Sequence, residues 1–363
     1  MNIPKGPSAI TAGWLTGVLR EREILKEAVV TSLEMKSLEE TVSGVVGQHV
    51  FLRLFYDIDE LKAPHSLFAK FSTANPEMRA ILHAIGLYQR EVGFYDHIAD
   101  KVKLRTPRCY YSALDMETGE SVLLLEDMTP GRTGKLVDGC SLAQAELALG
   151  EIAKFHAGWW NSHLFDKMEW LPKVNPRGDG DTAYKEHWGQ FIEKVGHLIP
   201  DSLIEIGERF GKYPNMIQQK QAETPQTLIH DDYQLENLFF TPSHSGVPFA
   251  VVDWTTLGFG RGVTDVAYFC SFCLWDKRAA NEIDLLRFYH TTLLRNGVQH
   301  YSFDQCLLDY RLLTLHALRR MIFIIGTGLL SLENEDRFRW AVKLVIPSLD
   351  EALIRLNVSE LLQ

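Results

Sequence analysis

No uninterrupted apolar run in this 363-residue chain approaches the roughly 18 residues that a membrane-spanning helix needs. The longest candidates, such as Met321 to Leu330, are short and contain glycine. The opening Met1-Asn2-Ile3-Pro4-Lys5-Gly6-Pro7 lacks the apolar core of a secretory signal, so a cytoplasmic protein with no membrane partner is expected. Cysteine is sparse and odd in number: Cys109, Cys140, Cys270, Cys273 and Cys306 follow no framework spacing, which fits reduced thiols. Cys270-x2-Cys273 has no second pair and lies in an apolar, helical-looking stretch, so two core cysteines explain it better than a metal or redox site. Positive charge is also short, with 37 Lys and Arg against 47 Asp and Glu for a net charge of −10. That balance argues against a nucleic-acid groove as the main business of the chain. No repeat or low-complexity tract is visible.

What is present is globular: 46% hydrophobic residues with 11% aromatics, enough to bury a large core. Strand-like patterns come early and helical ones late. An opening helix is expected from Thr11 to Arg22. Thr41 to Phe55 reads as two strands joined through glycines, and Ser66 to Phe71 as a further strand. Leu87 to Ala99 is amphipathic and helical. Residues 108 to 126 form two strands about a turn at Glu117-Thr118-Gly119-Glu120. From Ser141, a natural N-cap, helical spacing takes over at Leu142 to Trp160, and residues 281 to 361 are again helix-rich. The expected fold is α+β, a two-lobed protein-kinase-like arrangement. It has an N-terminal antiparallel sheet lobe with a helix over 1–128 and a mostly helical C-terminal lobe with a catalytic hairpin over 129–363.

The densest chemistry lies near residue 230. His230-Asp231-Asp232 precedes Asn237, the apolar Leu238-Phe239-Phe240 follows, and after a turn Phe249-Ala250-Val251-Val252 ends at Asp253-Trp254. Asp and Asn are common at turns because they cap local backbone groups. The order and spacing here suit phosphoryl transfer. Asp232 can orient an attacking hydroxyl and accept its proton, while Asn237 and Asp253 hold Mg²⁺ against nucleotide phosphates. Alternation along an extended segment would turn His230 and Asp232 to one side and Asp231 to the other.

Such a site also needs a cation for the phosphates, steadied by a helical carboxylate. Lys70, inside Leu67-Phe68-Ala69-Lys70-Phe71, and Glu91, on the helix about 20 residues later, have that relationship. Taken singly, Lys70 reads better as an edge-strand lysine reaching solvent, and Glu91 as part of a solvated helix face. It is their order with Asp232, Asn237 and Asp253 that favours the site. Gly44 and Gly47 do not match G-x-G-x-x-G and equally suit a hairpin turn. If that loop covers phosphates, backbone N–H groups from Gly44 to Gln48 make the contacts.

His230, Asp232, Asn237 and Asp253 together resemble the H-G-D-x4-N catalytic loop and D-[FW] of the aminoglycoside phosphotransferase and choline kinase-like superfamily. The glycine-bearing stretch to Asp265-Val266-Ala267 and the Arg90-Glu91-x-x-Phe94-Tyr95 pattern extend the likeness. Within that superfamily the chain looks most like the ecdysteroid-kinase-like branch. The resemblance implies an ATP- and Mg²⁺-dependent kinase acting on a small-molecule hydroxyl, with main-chain adenine contacts near Glu126 and Met128. It also implies structural roles for His156, His230 and Asp265. The chain departs from the pattern at Asp231, where the family usually has Gly.

Two other readings compete. His230-Asp231 could be the metal-binding pair of an HD phosphohydrolase, but that pair belongs on a helix and here has β-like neighbours, with Pro225 upstream. A nucleotide-binding pseudokinase would be marked by loss of Lys70, Asp232 or Asp253, all of which are present. Phe155 to Trp160, Trp170, Trp188 and Trp275 could line an apolar acceptor pocket, though ordinary core explains each. These residues leave the acceptor open.

Overall fold

The computed structural model describes residues 3–37, 47–173, 180–213, 215–240, 249–330 and 335–362. The chain divides into two compact units. One comprises Met1–Arg132 with Glu169–Pro172 and Thr241–Leu257, the other Thr133–Met168 with Lys173–Phe240 and Gly258–Gln363. The short segment carrying Asp253 therefore groups with the first unit, not with the helical remainder of the chain.

In the first unit, Thr11 accepts the backbone N–H of Trp14 at 3.1 Å and caps α1 (Ala12–Glu21). Five strands follow around two helices: β1 (Val30–Ser37), β2 (Gly47–Tyr56), β3 (Ser66–Ser72), α2 (Pro76–Ala84), α3 (Leu87–His97), β4 (Cys109–Leu114) and β5 (Ser121–Glu126). They form one antiparallel sheet in the order β1-β2-β3-β5-β4. Alternation divides its faces. Val50, Leu52, Leu67, Ala69 and Phe71 share a core with Leu15, Val18 and Leu19 of α1. Each fully buried aliphatic side chain there contributes about 1.5–3 kcal/mol. His49, Phe51, Phe68 and Lys70 take the other face, His49 opposite Lys70 and Phe51 opposite Phe68. Of the two strands expected within 41–55, the second is β2, while 41–46, including Gly44, lies outside the described residues.

In the second unit, Ser141 and Gln144 form a reciprocal capping box that starts α4 (Leu142–Gly158). Helices α5 (Gly180–Val195), α6 (Asp201–Phe210) and α7 (Met216–Ala222) lead to β6 (Thr227–Ile229) and β7 (Leu238–Phe239). Ala250–Val251, β8, belongs to the first unit; residues 241–248, the expected hairpin turn, lie outside the described residues. β9 (Gly258–Gly260) pairs antiparallel with β6, and α8 (Val263–Cys273), α9 (Arg278–Arg295) and α10 (Phe303–Gly326) follow. α11 (Glu335–Trp340) runs through a π-helical turn into α12 (Ile346–Arg355).

α8 is buried along nearly its whole length, including the thiols of Cys270 and Cys273. Burial pushes the Cys270 thiol up to about 12, as expected of inert core cysteines. The tryptophans considered for an acceptor pocket are packing elements. Trp188 covers Gly207 and stacks on Tyr184, Trp170 covers Gly93, and the Trp275 indole N–H donates to the Leu136 carbonyl at 3.3 Å. Among the described residues no helix is long and apolar enough to cross a membrane.

Candidate active site

β3 is an interior strand, so the edge-lysine reading of Lys70 fails. Its ammonium instead lies 2.8 Å from Glu91 on α3 and 3.4 Å from Asp253 Oδ1. Burial raises the Glu91 carboxyl to about 7, against the pull of Lys70. Burial works against the Lys70 charge too, but Asp253 and Glu91 outweigh it and hold the ammonium charged. Asp253 adopts a left-handed conformation (φ 64°), which a short polar side chain tolerates, and its Oδ1 accepts the Thr255 hydroxyl at 2.6 Å. Next to it, Trp254 stacks on Phe94 of α3 with ring centroids 3.9 Å apart. The Asp253 backbone is thereby tied to the helix that carries Glu91.

His49, across from Lys70, stacks on Phe68, and burial together with Lys70 lowers its pKa to about 4. Gly47 has a packing reason of its own: a Cβ there would stand 2.4 Å from the Phe71 carbonyl oxygen. The Glu126 carboxylate is held by Arg105 at 2.6 Å and by the Arg108 N–H at 3.0 Å, and the Met128 carbonyl accepts the Gly131 N–H at 2.9 Å.

In the second unit the expected extended run through 230–232 is absent. β6 ends at Ile229, and Asp231 is left-handed (φ 60°), the conformation for which glycine is the default residue. Strand alternation therefore does not govern these side chains. The segment is held by Asp265 of α8, whose two oxygens accept the backbone N–H groups of His230 and Asp231, each at 2.8 Å. His156 of α4 lies 3.1 Å from the same carboxylate, and its other ring nitrogen is 2.9 Å from the Tyr289 hydroxyl. A helical HD metal pair is thus excluded, because the His230-Asp231 segment follows a strand.

Asp232 has both carboxylate oxygens engaged. Tyr268 donates to Oδ1 at 2.8 Å, and the Asn237 amide donates to Oδ2 at 3.0 Å and to the Asp232 carbonyl at 2.9 Å. Because the Asn237 nitrogen is turned to Asp232, its Oδ1 is the atom left for a cation. Burial and the Asp232 charge hold the Tyr268 phenol well above its ordinary pKa, so it stays a donor. The Asp231 carboxylate meets His316 of α10 at 2.9 Å; burial opposes its charge, but His316 and the nearby Arg320 and Arg319 hold its pKa down. Arg320 Nη2 stands 3.8 Å from Asp232 Oδ1. Sequence reasoning named neither Tyr268 nor these α10 side chains as site residues. Only the helical spacing of His316, Arg319 and Arg320 could have marked them as neighbours.

The phosphotransferase enzyme family model matches residues 77–295, a span that includes Glu91, Asp232, Asn237, Asp253 and Asp265. The chain belongs to that family. Its fold is α+β and kinase-like. A complex of aminoglycoside 2'-phosphotransferase-IIIa with GDP superposes at a TM-score of 0.52 and 14% identity, covering 94% of this chain and 98% of that one. Choline kinase from Cryptosporidium parvum gives 0.50 at 12% identity over 96% and 95%. Plasmodium vivax ethanolamine kinase gives 0.50 at 12% over 87% and 83%. At such identities the likeness is one of fold. Acyl-CoA dehydrogenase family member 11 of Mus musculus is 34% identical over 56 residues, which span 15% of this chain and only 7% of that protein.

Proposed function

We propose that this phosphotransferase moves the γ-phosphoryl group of ATP to a hydroxyl of a small molecule by direct in-line transfer. The observation that carries the reading is the buried Lys70–Glu91 pair with Asp253 at 3.4 Å, an arrangement with little structural use unless phosphate charge is to be met there. Lys70 neutralises phosphate oxygens, and Glu91 keeps its ammonium in place. Asp232, steadied by Tyr268 and Asn237, orients the acceptor hydroxyl and takes its proton. Main-chain groups at Glu126 and Met128 meet the adenine, and the backbone of Gly47, the first residue of β2, meets the phosphates.

Asp253 and the Asn237 amide oxygen are the proposed Mg²⁺ ligands. Both offer hard oxygen donors, and Mg²⁺ is usually bound by one or two such groups plus phosphates, not by a protein cage. When bound, the ion would offset charge on the phosphates. The test is incubation with Mg-ATP and an unfractionated metabolite pool, read by mass spectrometry for new phosphate monoesters. ATP-dependent phosphorylation of an alcohol is expected; nucleotide binding with no transfer to any pool would favour a pseudokinase.

A further inference from the structure

His316, Arg319 and Arg320 are spaced i, i+3 and i+4 on α10 and so share one face of that helix. That face meets the Asp231–Asp232 segment, through His316 at 2.9 Å from Asp231 and Arg320 at 3.8 Å from Asp232. Their hydrogen-bonding needs are unequally met. Asp231 is bonded by His316, and Asp232 by Tyr268 and Asn237. The guanidiniums are less fully met. Arg320 lies 5.8 Å over the Tyr268 ring, and against the cost of burial Tyr268, Asp231 and Asp232 hold its charge. Its Nε is nonetheless buried with no partner, and its carboxylate contact is at the outer limit of an ion pair. Arg319 is half-buried and makes no hydrogen bond or ion pair among the described residues.

A guanidinium presents five donors in a planar fork suited to a carboxylate or phosphate, and withdrawing it from water without such a partner is unfavourable. Burial lowers the Arg319 pKa, which is the sign of that unmet cost, and burial likewise keeps His316 on the neutral side. One turn further along α10, Phe323 is partly exposed and meets His187 of α5 edge-on, with ring centroids 5.1 Å apart. The same face thus passes from Arg319, which has no ion-pair partner among the described residues, and Arg320, whose Nε is unbonded, to an aromatic surface.

We propose that the acceptor is an alcohol carrying an anionic group, a carboxylate or a phosphate, which Arg319 and Arg320 receive while its hydroxyl lies at Asp232. A cationic acceptor such as an amino alcohol would set its ammonium against two guanidiniums. The proposal rests on the reading of Asp232 as the acceptor-side base.

The experiment uses four probes of similar size: glycerate, glycerol 3-phosphate, glycerol and choline. Binding of each to the full chain, loaded with Mg²⁺ and a non-hydrolysable ATP analogue, is measured by calorimetry. At least one anionic probe should bind, with glycerol and choline much weaker, and glycerate against glycerol 3-phosphate tells carboxylate from phosphate recognition. Arg319→Gln should weaken anion binding about 10- to 100-fold, the range for charge-assisted hydrogen bonds. Arg319→Lys should recover part of the loss, and circular dichroism shows that both variants fold. Choline or glycerol binding as well as the anions, no binding of either anion, or anion affinity unchanged in Arg319→Gln would overturn the proposal. Transfer from ATP, assayed separately with the metabolite pool, decides the kinase reading itself. Phosphorylation confined to cationic alcohols would sink the substrate class and leave the kinase standing.

Discussion

Lys70 grips Glu91 from the interior of a sheet, through an ion pair of 2.8 Å that is largely closed to water. Removing one partner of such a pair strands the other charge, which typically costs about 3–5 kcal/mol. Lys70→Met should therefore lower unfolding stability by that order unless Glu91 takes up a proton. The double variant Lys70→Met, Glu91→Gln should recover part of the loss. Urea titrations of the two single variants and the double variant measure the coupling; strict additivity would show that the pair is not energetically linked. Lys70→Met should also reduce kcat/KM for ATP about tenfold or more.

The two aspartates should separate by assay. Asp253→Asn is expected to weaken Mg²⁺-dependent nucleotide binding in calorimetry. Asp232→Asn should leave that binding near wild type while cutting kcat about 100-fold or more, the usual share of a general base. The reverse pattern would exchange their roles.

At Asp231 two effects oppose one another. A residue with a Cβ in the left-handed region costs about 1–2 kcal/mol, while the contact to His316 stabilises it. Asp231→Gly removes both, whereas Asp231→Ala removes only the contact. The alanine variant should be less stable than the glycine variant by about 1 kcal/mol. Equal urea midpoints would mean that the backbone at 231 relaxes.

His49 provides an acid-sensitive element. Its pKa falls from the ordinary 6.5 to about 4 in the folded protein, because burial and Lys70 disfavour the charged ring. Its stabilising contribution is therefore complete above about pH 6.5 and is lost as the pH falls toward 4. His49→Gln should flatten the stability profile across that window by on the order of 1–2 kcal/mol, allowing for partial exposure. Denaturation midpoints at pH 7 and pH 4.5 check it; an unchanged difference between the two would refute the assignment.

Much of this organisation is legible along the chain because its causes are local. The caps at Thr11 and Ser141 are set by neighbours three residues away, so α1 and α4 start where the sequence places them. Lys70 and Glu91 are visible as a strand and helix in succession, and their pairing needs only that order. Asp231 was harder. The residues around it have strand-like composition, yet the path of the backbone is decided by Asp265, more than 30 positions later. The α10 face is harder still, since nothing near residue 320 says which loop it will meet. Gly47 shows the opposite difficulty: a phosphate contact and a turn both ask for glycine, and so does the Phe71 carbonyl, which no local pattern announces.

Helix α8 acts as a jig for the segment it faces. Asp265 holds the main chain at residues 230 and 231, and Tyr268, three positions on, holds the Asp232 carboxylate. One rigid, fully packed rod thus sets both the position of the loop and the aim of its central side chain. The loop itself supplies little of its own geometry. A single residue inserted between 265 and 268 would rotate the two grips about 100° apart.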